Sequence, residues 1–176
     1  FLYFLEGAPP AILWEVLPVY FRVSGASHAA IGGLRLLELP YSLKFFWSPL
    51  VHRYGDRRAW MGYCLVAAAG AIALIPFVEV AHPGWIIFGL VLLLAAASAT
   101  QDVAIDSYTV ALVDPPEEGA ANGVRASAYR VALVLVGGVL LMFAPLIGWT
   151  GLFLTAAALL VGLAMAVPRV PRLGLP

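Results

Sequence analysis

Charge is scarce in this sequence. Of its 176 residues, 11% are Asp, Glu, Lys or Arg, against about 25% in a soluble domain. With 62% hydrophobic residues, there is too little polar surface to clothe a water-soluble globule and too much apolar sequence for a disordered chain. Cysteine is nearly absent as well. Cys64 stands alone, which excludes a disulfide framework and a cysteine-based zinc site. Ten basic and ten acidic residues cancel, so no broad electrostatic footprint for nucleic acid exists. His28, His52 and His82 fall in predicted loops on both sides, which leaves no metal cluster, and nothing calls for a cofactor. No charged leader with a small-residue cleavage site marks a signal peptide. What remains is an all-α membrane protein lying almost wholly within the bilayer.

About 20 mostly apolar residues span the hydrocarbon core. Six stretches qualify: Leu2–Phe21, Ala29–Val51, Ala59–Val78, Trp85–Val113, Asn122–Ile147 and Trp149–Val167. Glycine, proline and polar residues punctuate the gaps, down to a short turn at Gly148. A barrel would alternate polar and apolar residues along each strand, and runs such as Val91 to Ala97 do not. With a cytoplasmic N-terminus, the inner loops and tail carry Arg53, Arg57, Arg58, Arg125, Arg169 and Arg172, while the outer end of helix 1 carries Arg22. The positive-inside rule therefore places both ends of the segment in the cytoplasm. The sequence opens at Phe1 inside a span and closes on Pro168-Arg169-Val170-Pro171-Arg172. The expectation is a piece of a longer chain: a six-helix bundle over 1–167 and the start of a cytoplasmic linker over 168–176. Six helices can also be two inverted three-helix units.

Charges inside the spans carry the most information: Glu6 and Glu15 in helix 1, Arg35, Glu38 and Lys44 in helix 2, Asp102 and Asp106 in helix 4, Arg130 in helix 5. Three central charges in helix 2 cost roughly 2.5–3.5 kcal/mol each, while its roughly ten Leu, Ile, Phe and Val residues return about 3–6 kcal/mol in total. Those charges must face partners or a watery cavity inside the bundle. At about 1.5 Å per residue, Glu15 and Arg35 share a depth below the outer surface and form a possible ion pair. Lys44 and Asp106 share one above the inner surface, with Asp102 and Arg130 slightly deeper. Asp102 and Asp106 are four apart and lie on one helix face, and Lys44 is the chain's single lysine. Glu6, near the end of its span, is read as structural. Cys64 is read as packing, Trp60, Trp85 and Trp149 as an interfacial belt, and Ala95 to Ala99 as a narrow face for helix contact. Pro9, Pro10, Pro18 and Pro40 can kink helices 1 and 2.

The 2–3 loop reads Ser48-Pro49-Leu50-Val51-His52-Arg53-Tyr54-Gly55-Asp56-Arg57-Arg58. It resembles the cytoplasmic loop signature of the major facilitator superfamily through Arg53, Gly55, Arg57 and Arg58. His52 stands at the usual aspartate position, and one residue separates the glycine from the arginine pair. Residues 39–50 (LPYSLKFFWSPL) and 98–106 (SATQDVAID), with Tyr129-Arg130 and Gly137-Gly138, resemble the muropeptide permease and acetyl-coenzyme A transporter branch. Glu118 before Gly119 departs from that branch, which usually has arginine there.

The resemblance covers essentially the whole chain, as the N-terminal half of a transporter in a cell membrane of the bacterial inner-membrane type. It implies a secondary transporter whose two six-helix halves rock about a central site, importing cell-wall fragments with protons. It further implies a polar pathway of Lys44, Asp102, Asp106 and Arg130 with Glu38 and Gln101. In that pathway an aspartate takes the coupling proton, and Lys44 and Arg130 pair with it or hold an anionic solute group. The partners implied are the bilayer, a small solute, protons and a C-terminal half.

Alternatives stay open at this level. A superfamily transporter of sugars, drugs or acetyl-coenzyme A-like anions shares the pattern. A non-transporting six-helix membrane protein shares the hydropathy. An intramembrane enzyme built on Asp102 and Asp106 would need further carboxylates for a metal or aspartates on two helices, and the spans supply neither a second pair nor that division.

Overall fold

The computed structural model describes residues 1–36, 39–54, 56–113 and 115–171, with the side chains of residues 35, 36, 52 and 115 outside that description. All regular structure in it is helical: α1 (Leu2–Ala11), α2 (Leu17–Val23), α3 (His28–Leu36), α4 (Leu39–Leu43), α5 (Ser48–Arg53), α6 (Arg57–Leu74), α7 (Trp85–Val110), α8 (Glu118–Ala132), α9 (Leu140–Met142) and α10 (Ala144–Ala166). Four helices are long and apolar enough to cross a membrane: Arg57–Phe77, Trp85–Val110, Glu118–Met142 and Ala144–Arg169. These match the third to sixth expected spans; the first two are not among them. Residues 2–23 are helical without a break, but Glu6, Glu15, Arg22 and three prolines dilute their apolar content. The second expected span falls into α3, α4, a 3-10 turn at Lys44–Phe46 and α5. Pro40 and Pro49 each remove a helical N–H there.

Helix α7 is the hub. Ile87, Val91, Leu94, Ser98, Gln101, Ile105 and Tyr108 recur at helical spacing and are all buried, which gives α7 one continuous inward stripe. It packs on α6 and α1, and α6 packs in turn on α10. Met61, Leu65, Ala68 and Ile72 of α6 meet Leu152, Phe153, Ala156 and Leu160 of α10 in that layer, all fully buried. Tyr20 closes the far side with its ring 5.0 Å from Trp149 and 4.9 Å from Phe153. Cys64 is buried, as expected of a packing residue. Gly148 breaks the last span at φ +70, a left-handed conformation that glycine adopts without strain, so the turn expected there is present.

Two π-helical segments interrupt the α geometry, Ile12–Val16 in the first helix and Leu133–Val139 in the fifth. They pack against each other. A Cβ at Gly137 would lie 2.9 Å from both Cβ and Cγ of Glu15. The bare glycine is what lets the Glu15 stem pass at that level. A wider π turn often marks a functional position in a helix, and here the two lie side by side directly beyond the polar cluster.

Candidate functional site

The site begins with a proline. Pro9 has no N–H to offer the carbonyl of Leu5 four residues back, and that carbonyl is instead met by Gln101 Nε2 at 2.8 Å. Gln101 is buried, so this bond fixes α7 to α1 at the level of Glu6. One position on, Asp102 pairs with Lys44 from the 3-10 turn. Trp47 Nε1 donates to Thr100 Oγ1 at 3.1 Å and holds the same turn against α7. Asp106 follows one helical turn later on the same face, as its spacing predicts.

Arg125 of α8 closes the cluster. Its guanidinium reaches Glu6 Oε1 at 2.7 Å, Asp106 Oδ1 at 2.5 Å and Asp102 Oδ1 at 3.5 Å. Its Cζ also sits 5.8 Å from the centroid of the Tyr3 ring, within cation–π range. Glu6, Lys44, Asp102, Asp106 and Arg125 thus form one network drawn from four stretches of chain. One oxygen from each of the three carboxylates lies within 4.8 Å of the others. Lys44 and Arg125 already occupy that acidic set, so it reads as a charge network and not as a metal site.

The sequence-predicted residues divide cleanly. Lys44, Asp102 and Asp106 come together, with Gln101 supporting them. Arg130 does not join them. Its side chain is exposed, and the cation in the cluster is Arg125. Two members escape the sequence reading, which puts Arg125 in an inner loop and gives Glu6 a structural role. Helix α8 starts at Glu118, four residues before the expected span, which puts Arg125 two turns into the helix. Its frame carried the signal, since Ala132 and Val136 lie seven and eleven residues further on the same face and are buried. Glu15 is exposed, and the side chain of Arg35, its expected partner, lies outside the described residues, as do Glu38 and Gly55.

The basic loop splits into separate tasks. Asp56 caps α6, its Oδ1 accepting from Arg58 N at 3.0 Å, as short polar side chains do at helix N-termini. Arg58 pairs with Asp56 at 2.9 Å and donates to Val170 O at 2.8 Å, tying the start of α6 to the segment after α10. Arg53 lies exposed over the Tyr54 ring at 5.7 Å. Arg57 turns the other way and, with Lys44, Ser48, Asp106 and Ser107, lines a cleft of about 500 Å³. That cleft leads directly to the charge network.

Comparison with known proteins gives matches over most of the chain. The family described as the Major Facilitator Superfamily matches residues 1–173. An uncharacterized protein of Haemophilus influenzae is 34% identical over 170 residues, covering 93% of this chain and 40% of that protein. The anhydromuropeptide permease of Escherichia coli K12 is 31% identical over 179 residues, covering 96% of this chain and 36% of the permease. An uncharacterized protein of Schizosaccharomyces pombe is 27% identical over 157 residues, covering 81% and 29%. The chain thus spans well under half the length of each of these relatives.

Proposed function

The chain belongs to the major facilitator superfamily, a family of transporters and not of enzymes, and from that premise we propose that it is the N-terminal half of a proton-coupled importer of muropeptide-like cell-wall fragments. The observation that carries the reading is the charge network of Glu6, Lys44, Asp102, Asp106 and Arg125 at the meeting of the first, second, fourth and fifth helical stretches. Ionisable groups inside a membrane bundle are costly and mark solute or proton pathways. The cleft lined by Lys44, Arg57 and Asp106 supplies an entrance to this one.

In this reading, residues 2–23 and 28–53 complete six transmembrane segments together with the four apolar helices. Glu6 and Lys44 are tolerated in them because they pair within the network, and the residues after Val167 begin the link to a second half. In this reading the membrane is a bacterial inner membrane, and the basic residues of the 2–3 loop support a cytoplasmic position for both ends of the segment. Rocking of two halves about a midplane site then moves the solute. Similarity to the anhydromuropeptide permease supports the substrate class. Arg130, exposed and outside the network, is a cation available to an anionic group of the solute.

The test is uptake of labelled anhydromuropeptide by proteoliposomes holding the full-length protein. An inward proton gradient is expected to drive accumulation and a protonophore to abolish it. Absence of uptake would reject the substrate class. Uptake indifferent to the gradient would reject proton coupling.

A further inference from the structure

Glu6 is the most enclosed member of the network: its side chain is 5% exposed, against 14% for Asp102 and 35% for Asp106. Among the described residues, three carboxylates share two paired cations. Asp102 holds Lys44 and a share of Arg125, and Asp106 holds Arg125 at 2.5 Å. Glu6 Oε1 accepts from Arg125 at 2.7 Å. Its Oε2 is buried with no hydrogen-bond partner. An ionised carboxylate left in that state forfeits the hydration of the oxygen with nothing in return.

A second orphan stands close by in the fold. Gln101 is 1% exposed, and its Oε1 also lacks a donor. Its Nε2 is anchored on the carbonyl of Leu5, next in sequence to Glu6. The amide is therefore fixed at this level of α1 with a free acceptor.

The geometry points to Glu6 as the group that binds the coupling proton, on its unpartnered Oε2, beside the carboxylates of Asp102 and Asp106, which each bring an oxygen within 4.8 Å of a Glu6 oxygen. This rests on the transporter reading and adds a residue and an atom to it. One proton on Oε2 removes the charge from that buried oxygen and leaves two carboxylates for two cations. The charged and titratable groups around Glu6 are Arg125 and Tyr129 of α8, Asp102 and Asp106 of α7, and Tyr41 of α4, with Lys44 beyond Asp102. Arg57 lines the cleft together with Asp106, and Glu6 is not part of that lining. When the proton leaves, Glu6 competes with the aspartates for Arg125, and the grip of α8 on α7 loosens in favour of α1. Asp106, the most exposed of the three, stands between the cleft and the buried pair and relays the proton inward.

Infrared difference spectroscopy of the purified full-length protein in lipid, stepped through pH, reads this directly. The expected result is a protonated-carboxyl band that shifts on isotopic labelling of glutamate. It is absent in Glu6→Gln and kept in Asp102→Asn and Asp106→Asn. If Glu6→Gln fails to elute as a folded protein, Glu6→Asp decides, because the band must then answer to labelled aspartate. A titrating band kept in Glu6→Gln, one unmoved by glutamate labelling, or no titrating band in the unaltered protein would each overturn the assignment. A Glu6 band in a protein that takes up no anhydromuropeptide would overturn the substrate class alone.

Discussion

Replacing Arg125 by methionine is expected to destabilise the protein by about 3–5 kcal/mol, the cost of removing one partner from a buried ion pair, and to abolish proton-driven uptake. Three carboxylates would be left with Lys44 alone. Burial of their negative charge would force them to take up protons or the helices to part. Arg130→Met is the contrast. The two positions lie five residues apart and about 140° around the helix, and Arg130 makes no ion pair among the described residues. Its loss is expected to change stability by less than about 0.5 kcal/mol, as for exposed positions generally. Thermal unfolding of the two variants in detergent measures the difference. Equal destabilisation would place the wrong arginine in the network.

The second large effect is steric. Gly7→Ala puts a methyl group 2.8 Å from Ala132 Cβ and 2.9 Å from the Tyr129 carbonyl oxygen. The latter is backbone and has no rotamer by which to withdraw. Overpacking of this kind costs about 1–3 kcal/mol, and it pushes α1 from α8 at the level of the Glu6–Arg125 bond. Gly123→Ala, on the exposed side of α8 with nothing within 4 Å, is expected to stabilise instead, by up to about 1 kcal/mol of helix propensity. The two identical substitutions should therefore shift the unfolding temperature in opposite directions. A fall in both, or in neither, would contradict the close approach of the first and fifth helices.

How far the sequence discloses this arrangement follows from the forces that write it. Apolar length is unambiguous where nothing competes with it, so the third, fourth, fifth and sixth spans are legible, as is the turn at Gly148. In the first two, prolines and charges lower the hydropathy; residues 2–23 still form one continuous helix with a π segment, while the second span falls into short segments. Asp102 and Asp106 are readable together because a four-residue spacing fixes a common face whatever surrounds it. Arg125 is not, because hydropathy starts the helix at Asn122, whereas the polar and small residues Glu118 to Ala121 already belong to it. Depth without facing then favours Arg130. Glu6 looks peripheral by position along the chain. Its importance comes from Pro9, which frees the Leu5 carbonyl and lets Gln101 lock α7 beside it, a contact between residues 96 positions apart.

The central claim is that charges from separate helices neutralise one another in one network, and a double-mutant cycle on Lys44 and Asp102 measures it. Lys44→Met and Asp102→Asn are each made alone and together in the full-length protein, and unfolding free energies are compared. The account predicts that each single change is strongly destabilising and that the double variant recovers much of the loss, with a coupling of at least about 1.5 kcal/mol, as for residues in direct contact. Effects that add to within about 0.5 kcal/mol, as for independent sites, would contradict it.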